Sequence, residues 1–269
     1  MTVPQSLRLI RRMTAVNMAV TLAYRLDFAF YMLSAIISPI ISVLVWRAAI
    51  ASGADLPVSA SYLTTYFVLF AVVSVATGVW LATFLADSIR SGNISIWLAR
   101  PGSPLYEMVA NNLAEKAFKA VVLAPMILIF GWFLSDSLAL GVAPWRWLLF
   151  VLSTVLAAVI AFSLDVMVAS LAFWIDDVGG VVRGLGIVSG VLAGRIVPLA
   201  LMPEWSRGFV DVQPFRFTLS FPLEMIVGDL SGREVAAGFG LQAIYAAAFI
   251  LAARWIWQRG QLVYSAVGA

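Results

Sequence analysis

Apolar residues run along this chain in blocks of about twenty, and the polar positions collect in short stretches between them. A helix needs about 20 such residues to cross the hydrocarbon core of a bilayer. On that basis the pattern predicts spans at 28–50, 62–86, 115–135, 145–174, 178–201 and 235–257, the fourth and fifth separated only by WIDDVGG. The first periodic stretch is of another kind. Over 5–24, Arg8, Arg11 and Arg12 fall within an arc of roughly 100° at 100° per residue, and Leu7, Ile10, Met13, Val16 and Val20 lie mostly opposite, with Asn17 interrupting the apolar face. This predicts a helix lying along the membrane surface, the alternative being a frayed tail.

Two connections depart from a plain loop. The first, RSGNISIWLARPGSPLYEM, lies within the segment 87–114 that joins the second and third spans. Its piece NISIWLA is apolar enough to seek a surface but too short to cross. Arg100-Pro101-Gly102 must break it, because proline disfavours helix in the residue before it. Ser103-Pro104 then suits a helix start, with serine as cap and proline in the first turn. The expectation is a short amphipathic piece joined rigidly to two spans. The second connection, 202–234, mixes Trp205, Phe209, Phe215, Phe217 and Phe221 with Pro203, Pro214 and Pro222. That mixture predicts re-entrant or interfacial helices, or a small ordered external cap.

Composition agrees with the bilayer as solvent. Of 269 residues, 62% are hydrophobic and 12% charged, against about 25% charged in soluble domains, and the mean hydropathy is +0.98. The absence of cysteine and histidine removes disulfides, thiolate and imidazole metal sites, and the commonest general base. The basic N-terminal stretch lacks the small-residue cleavage site of a signal peptide. Of the 17 Lys and Arg residues, eleven fall in the connections that include 1–27, 87–114 and the C-terminus, and six in the other set. The positive-inside rule puts both termini and 87–114 in the cytoplasm.

Candidate chemistry is sparse. No GxxxxGK[ST] loop is present, so this chain cannot hold ATP by that device. Asp176 and Asp177 form the one adjacent acidic pair, and neighbours on a helix do not face each other. They read as a solvated turn, or as the acids of a membrane-embedded enzyme. Asp165 is the acid clearly inside a span, where charge is costly and must face protein or water. It reads as a hydrogen-bonded packing residue or as the proton site of a secondary transporter. Gly186, Gly190 and Gly194 repeat every four residues in the fifth span, preceded by Gly180 and Gly184. That face predicts close approach of another helix, within the chain or from a second subunit.

The segment after the second span resembles the permease subunit of type-2 ABC exporters, in particular the bacterial branch with the pattern I-x-x-G-x-I-x-x-x-L-x-R-P. Here that pattern is Ile89, Gly92, Ile94, Leu98, Arg100 and Pro101. The order of surface helix, six spans and external re-entrant helices is also similar to that family. The resemblance implies an all-α integral membrane protein forming one permease domain over 1–269, multi-pass in a bacterial plasma membrane. It implies a coupling helix over about 91–104, with Gly92, Ile94, Trp97, Leu98, Arg100 and Pro101 meeting a separate ABC ATPase dimer that binds ATP and Mg. It further implies a second permease, the same or a homologous chain. The first, second and fifth spans would lie near the axis, the fifth with its glycine face. The cargo classes are drugs, lipids and glycolipids. Tyr62, Tyr66, Phe67, Phe70, Trp80 and Phe84 could line an apolar path, with Asp165 beside it, or serve as packing and lipid-facing aromatics. The chain itself is not expected to be an enzyme, or to bind nucleic acid or a metal.

Overall fold

A computed structural model of the chain describes the backbone over residues 3–23, 25–99 and 103–264 and the side chains over 5–20, 37–99 and 103–264. The described residues form helices and turns without a strand. Among the described residues, three stretches are long and apolar enough to cross a membrane: Ala60–Arg90, Pro144–Phe173 and Gly232–Val263. Large apolar side chains are exposed along the outside, among them Val121, Leu128 and Trp132, Leu148 and Val155, and Ile244 and Leu251. A soluble monomer rarely shows apolar surface on that scale, so lipid is the surrounding medium.

Helix α1 (Val3–Ala23) packs along α6 (Pro104–Phe133), and α2 (Arg25–Ala51) leans on α3 (Ala60–Thr77). Leu7, Val16 and Val20 of α1 are left uncovered, as an apolar face meeting lipid would be. The stretch expected as one span over 62–86 is two helices, α3 and α4 (Leu81–Arg90). Gly78 causes the break: it leaves α3 in an extended conformation while its N–H still bonds Ser74 O at 2.8 Å. A Cβ there would sit 2.8 Å from that same oxygen. After the short helix α5 (Ile94–Leu98), Ser103 caps α6 by accepting from Leu105 N, with Pro104 in its first turn.

Helix α7 (Pro144–Ser170) is the centre of the bundle and touches α3, α4, α10 (Ser220–Val227) and α11 (Gly232–Val263). Helix α8 (Gly179–Leu192) is shorter than the span expected over 178–201. It stops because the chain turns at Gly194, φ +80°, where the N–H groups of Arg195 and Ile196 fold back onto Gly190 O. The turn then leads through short helical turns and α9 (Arg207–Val210) to α10. Two large hydrophobic clusters result among the described residues, with a small third one around Leu123. One, at the α10 end, joins Phe67, Phe70, Ile160, Phe217, Phe221 and Leu223. The other, at the α5 end, joins Leu85, Ile89, Ile94, Met108, Val166 and Trp257.

Candidate functional site

The α5 elbow is built from its turn outward. Gly92 has φ +80°, a left-handed conformation that only glycine adopts freely, and it reverses the chain after α4. Its carbonyl accepts from Ser95 Oγ at 2.7 Å and from Tyr264 OH at 3.3 Å, and these two hydroxyls are 2.9 Å apart. Ile94 is fully buried and plugs the α5-end cluster beside Met108 and Trp257. Trp97 lies tilted over Phe84 at 6.0 Å between ring centres, and Leu98 packs partly buried against the same cluster. Asn93, Ile96 and Ala99 face outward, with Ile96 59% exposed. Arg100 and Pro101, also expected in this segment, lie outside the described residues. Ile94 points into the core, and the apolar side chain of α5 left exposed is Ile96, which the motif did not single out.

At the start of α4 a cavity of about 520 Å³ lies between α8 and helices α3, α4, α6 and α7. Phe70, Leu123, Leu164, Val168 and Leu185 form much of its wall, with Ser74, Thr77, Ser189 and Thr218 among the polar lining. Asp165 reaches this space, and its Oδ2 accepts from Ala82 N at 2.7 Å. The broken second span thus explains the buried acid. α4 begins inside the bundle with unpaired N–H groups, and a carboxylate from α7 caps them and complements the helix dipole. Lys119, on the same wall, is ion-paired with Glu115, which also accepts the indole N–H of Trp80. Trp80 and Glu115 were invisible as partners in sequence because the contact spans 35 positions.

Of the aromatics expected along a path, Phe70 and Trp80 line this cavity and Tyr62 lines a separate one of about 880 Å³ at the α10 end. Tyr66 does neither. Its ring is buried, its hydroxyl donates to Gly194 O at 2.9 Å and shares a hydrogen bond with Ser220 Oγ at 2.9 Å. It is a strut that holds the turn after α8. Phe67 is likewise enclosed in the core, whereas Trp80 and Phe84 are partly open to the surroundings.

The glycine pattern also resolves differently along its length. Gly190 is packed against Ile196, and Gly194 lies past the helix end rather than on its face. A Cβ added at Gly180, Gly184 or Gly186 would meet nothing within 4 Å. At these three positions nothing in the described chain approaches the helix closely.

At the α10 end, Arg216 is held by Glu224 through two contacts, Nη2 to Oε2 at 2.6 Å and Nε to Oε1 at 3.3 Å, and donates to Asp211 O at 2.7 Å. Burial disfavours its charge, but Glu224, by charge and by hydrogen bond, acts together with Asp211 and Glu234 to keep the guanidinium above its ordinary pKa. Gln242 of α11, fully buried, donates to the carbonyls of Ser153 (2.9 Å) and Phe217 (3.1 Å) and accepts from Ser153 Oγ at 3.1 Å. Sequence reasoning passed over Gln242, although a lone amide within an apolar helix is itself a signal. Among the described residues, no group of three or more acidic residues could hold a metal ion.

A family model described as ABC-2 family transporter protein matches residues 56–268. No curated protein and no solved structure matches the chain.

Proposed function

Because the chain belongs to the ABC-2 transporter family, a family of multi-pass permease subunits of ABC transporters, we propose that it moves an amphiphilic or hydrophobic cargo outward under power from a separate ATPase. The observation that carries this reading is the α5 elbow. Five residues of helix project between α4 and α6, are locked from behind by Ile94 and the Tyr264–Ser95–Gly92 bonds, and present Asn93, Ile96 and Ala99 outward. A partner that pushed on that face would shift α4 and α6 together. It would also displace the N-terminus of α4 from its Asp165 cap, opening or closing the cavity behind it.

In this reading α2, the broken α3–α4 pair, α6, α7, α8 and α11 are the six crossings, and α1 rests on the cytoplasmic surface. Helix α8 is about 21 Å long at 1.5 Å per residue, so the turn from Gly194 to Thr218 supplies the rest of the depth. The open Gly180 and Gly184 of α8, four residues apart on one face, then suit a second permease, the same chain or a homologue, facing this one. Both termini and the elbow lie on the cytoplasmic side of a bacterial inner membrane, as the Lys and Arg distribution supports. ATP and Mg belong to the ATPase. An Asp165 proton site is the weaker reading, since that carboxylate is engaged at 2.7 Å as a helix cap.

The test is purification of the chain together with candidate ATPases encoded beside it, followed by reconstitution in lipid. ATP hydrolysis should rise when permease and ATPase are combined, and Arg100→Glu or Gly92→Pro should suppress the rise while membrane insertion persists. Cargo movement driven by a proton gradient in the absence of any ATPase would overturn the reading.

A further inference from the structure

The cavity between α8 and helices α3, α4, α6 and α7 carries more charge chemistry than its apolar walls imply. Three ionisable side chains line it: Asp165, Lys119 and Arg195. Two are accounted for. Asp165 caps α4 through Ala82 N at 2.7 Å, and Lys119 is paired with Glu115. Arg195 is not. Its Nε is enclosed and has no hydrogen-bond partner, and among the described residues no carboxylate lies within ion-pair distance of it. Ser74 Oγ, on the facing wall supplied by α3, is likewise buried and without a partner.

Arg195 is also fixed where it stands. The turn at Gly194 sets its backbone, with Arg195 N bonded to Gly190 O at 3.1 Å and the Tyr66 hydroxyl on Gly194 O. A Cβ at Gly194 would collide with both Tyr66 and Ser220, so the turn has one tight solution. Helix α8 leaves room behind this point. It touches α4 near its start and the 214–218 turn near its end, and between them its inner face, Val182, Leu185, Gly186 and Ser189, borders the cavity. A guanidinium is always charged and offers a planar fork of donors matched to carboxylate or phosphate. Left unpaired and enclosed by protein it is strongly disfavoured.

We infer that this cavity is a binding site for an anionic amphiphile. Arg195 takes the carboxylate or phosphate group, Ser74 adds a hydrogen bond, and the chain lies along Phe70, Leu123, Leu164 and Leu185. The inference rests on the permease reading insofar as the ligand is cargo, and it narrows that cargo from amphiphiles in general to those with an acidic group. The same chemistry is found in a resident acidic phospholipid.

The test uses the full chain in nanodiscs and needs no ATPase, so its failure is separate from failure of the transporter reading. cis-Parinaric acid and its methyl ester differ only in the charge and are both followed by fluorescence. The acid should bind about tenfold more tightly than the ester, the scale of one charge-assisted contact. Arg195→Gln should abolish that preference, and Arg195→Lys should retain part of it. Retention by Arg195→Lys also shows that the turn still folds. Ser74→Ala should weaken the acid more than the ester. Nanodiscs of phosphatidylglycerol and of phosphatidylcholine separate the two sources. Competition from phosphatidylglycerol assigns the site to a resident lipid headgroup, and undiminished binding assigns it to a free acidic amphiphile. Equal affinity for acid and ester, or a preference that survives Arg195→Gln, would overturn the inference.

Discussion

Both ends of this molecule carry helices too short to cross a bilayer, and the structure uses them in opposite ways. At the α10 end the short helix is swallowed: Phe221, Leu223, Met225 and Ile226 are buried against α3 and α7, and the polar groups among them are paired. Arg216 meets Glu224, and Gln242 meets Ser153 and Phe217. At the α5 end the helix is anchored on one side only. Ile94 is fully buried and Ile96, two positions on, is 59% exposed. A plug that satisfies all its neighbours has no reason to move independently. A bracket with one face free is suited to receive a partner.

The comparison breaks first at Arg216. Arg216→Met leaves the Glu224 carboxylate largely buried without its partner, a defect worth about 3–5 kcal/mol. Thermal unfolding in detergent should show the largest loss here, and Arg216→Met combined with Glu224→Gln should recover part of it. Were the single variant to unfold like the parent, the α10 end would not be the rigid half.

Ile94→Ala comes next. Removing a buried isoleucine should cost about 2–4 kcal/mol, read by the same melting experiment, with reduced ATPase stimulation because the bracket is loosened.

Ile96→Asp sharpens the contrast from the other side. An exposed position away from special features changes stability by less than about 0.5 kcal/mol, so melting should be unaffected while stimulation by the ATPase falls. A stability loss equal to that of Ile94→Ala would mean that both residues are core.

The smallest effect belongs to Glu234. Its side chain bonds the Ser231 hydroxyl (2.6 Å) and N–H (2.8 Å) at the start of α11. Those bonds hold its pKa below the ordinary 4.5. A depressed carboxylate contributes stability that is present above pH 4.5 and is lost as pH falls through the lower folded value. Glu234→Gln should flatten that acid limb of the melting profile by a small margin.

Much of the architecture was legible because the bilayer imposes length. Blocks of about twenty apolar residues stand out whatever they pack against. The Ser103-Pro104 start of α6 and the end of α5 at Leu98 follow from local chemistry that needs no neighbour. The glycine repeat of α8 was visible, but whether a helix covers it was not. Two boundaries were missed for one reason: Gly78 and Gly194 end their helices through close contacts with Ser74, and with Tyr66 and Ser220.

Sequence alone determined the solvent, the all-helical class, the absence of an ATP-binding loop and the position of the elbow, since each depends on composition or on neighbours within a few residues. Tertiary structure decided which residues serve which role. It turned Asp165 into the cap of a helix 83 positions away and Tyr66 into a strut for residues 128 and 154 positions on. It also set Ile94 inside and Ile96 outside, and left Arg195 facing a cavity with no partner among the described residues. Such assignments depend on which distant atoms arrive at the same place, and no local periodicity encodes that.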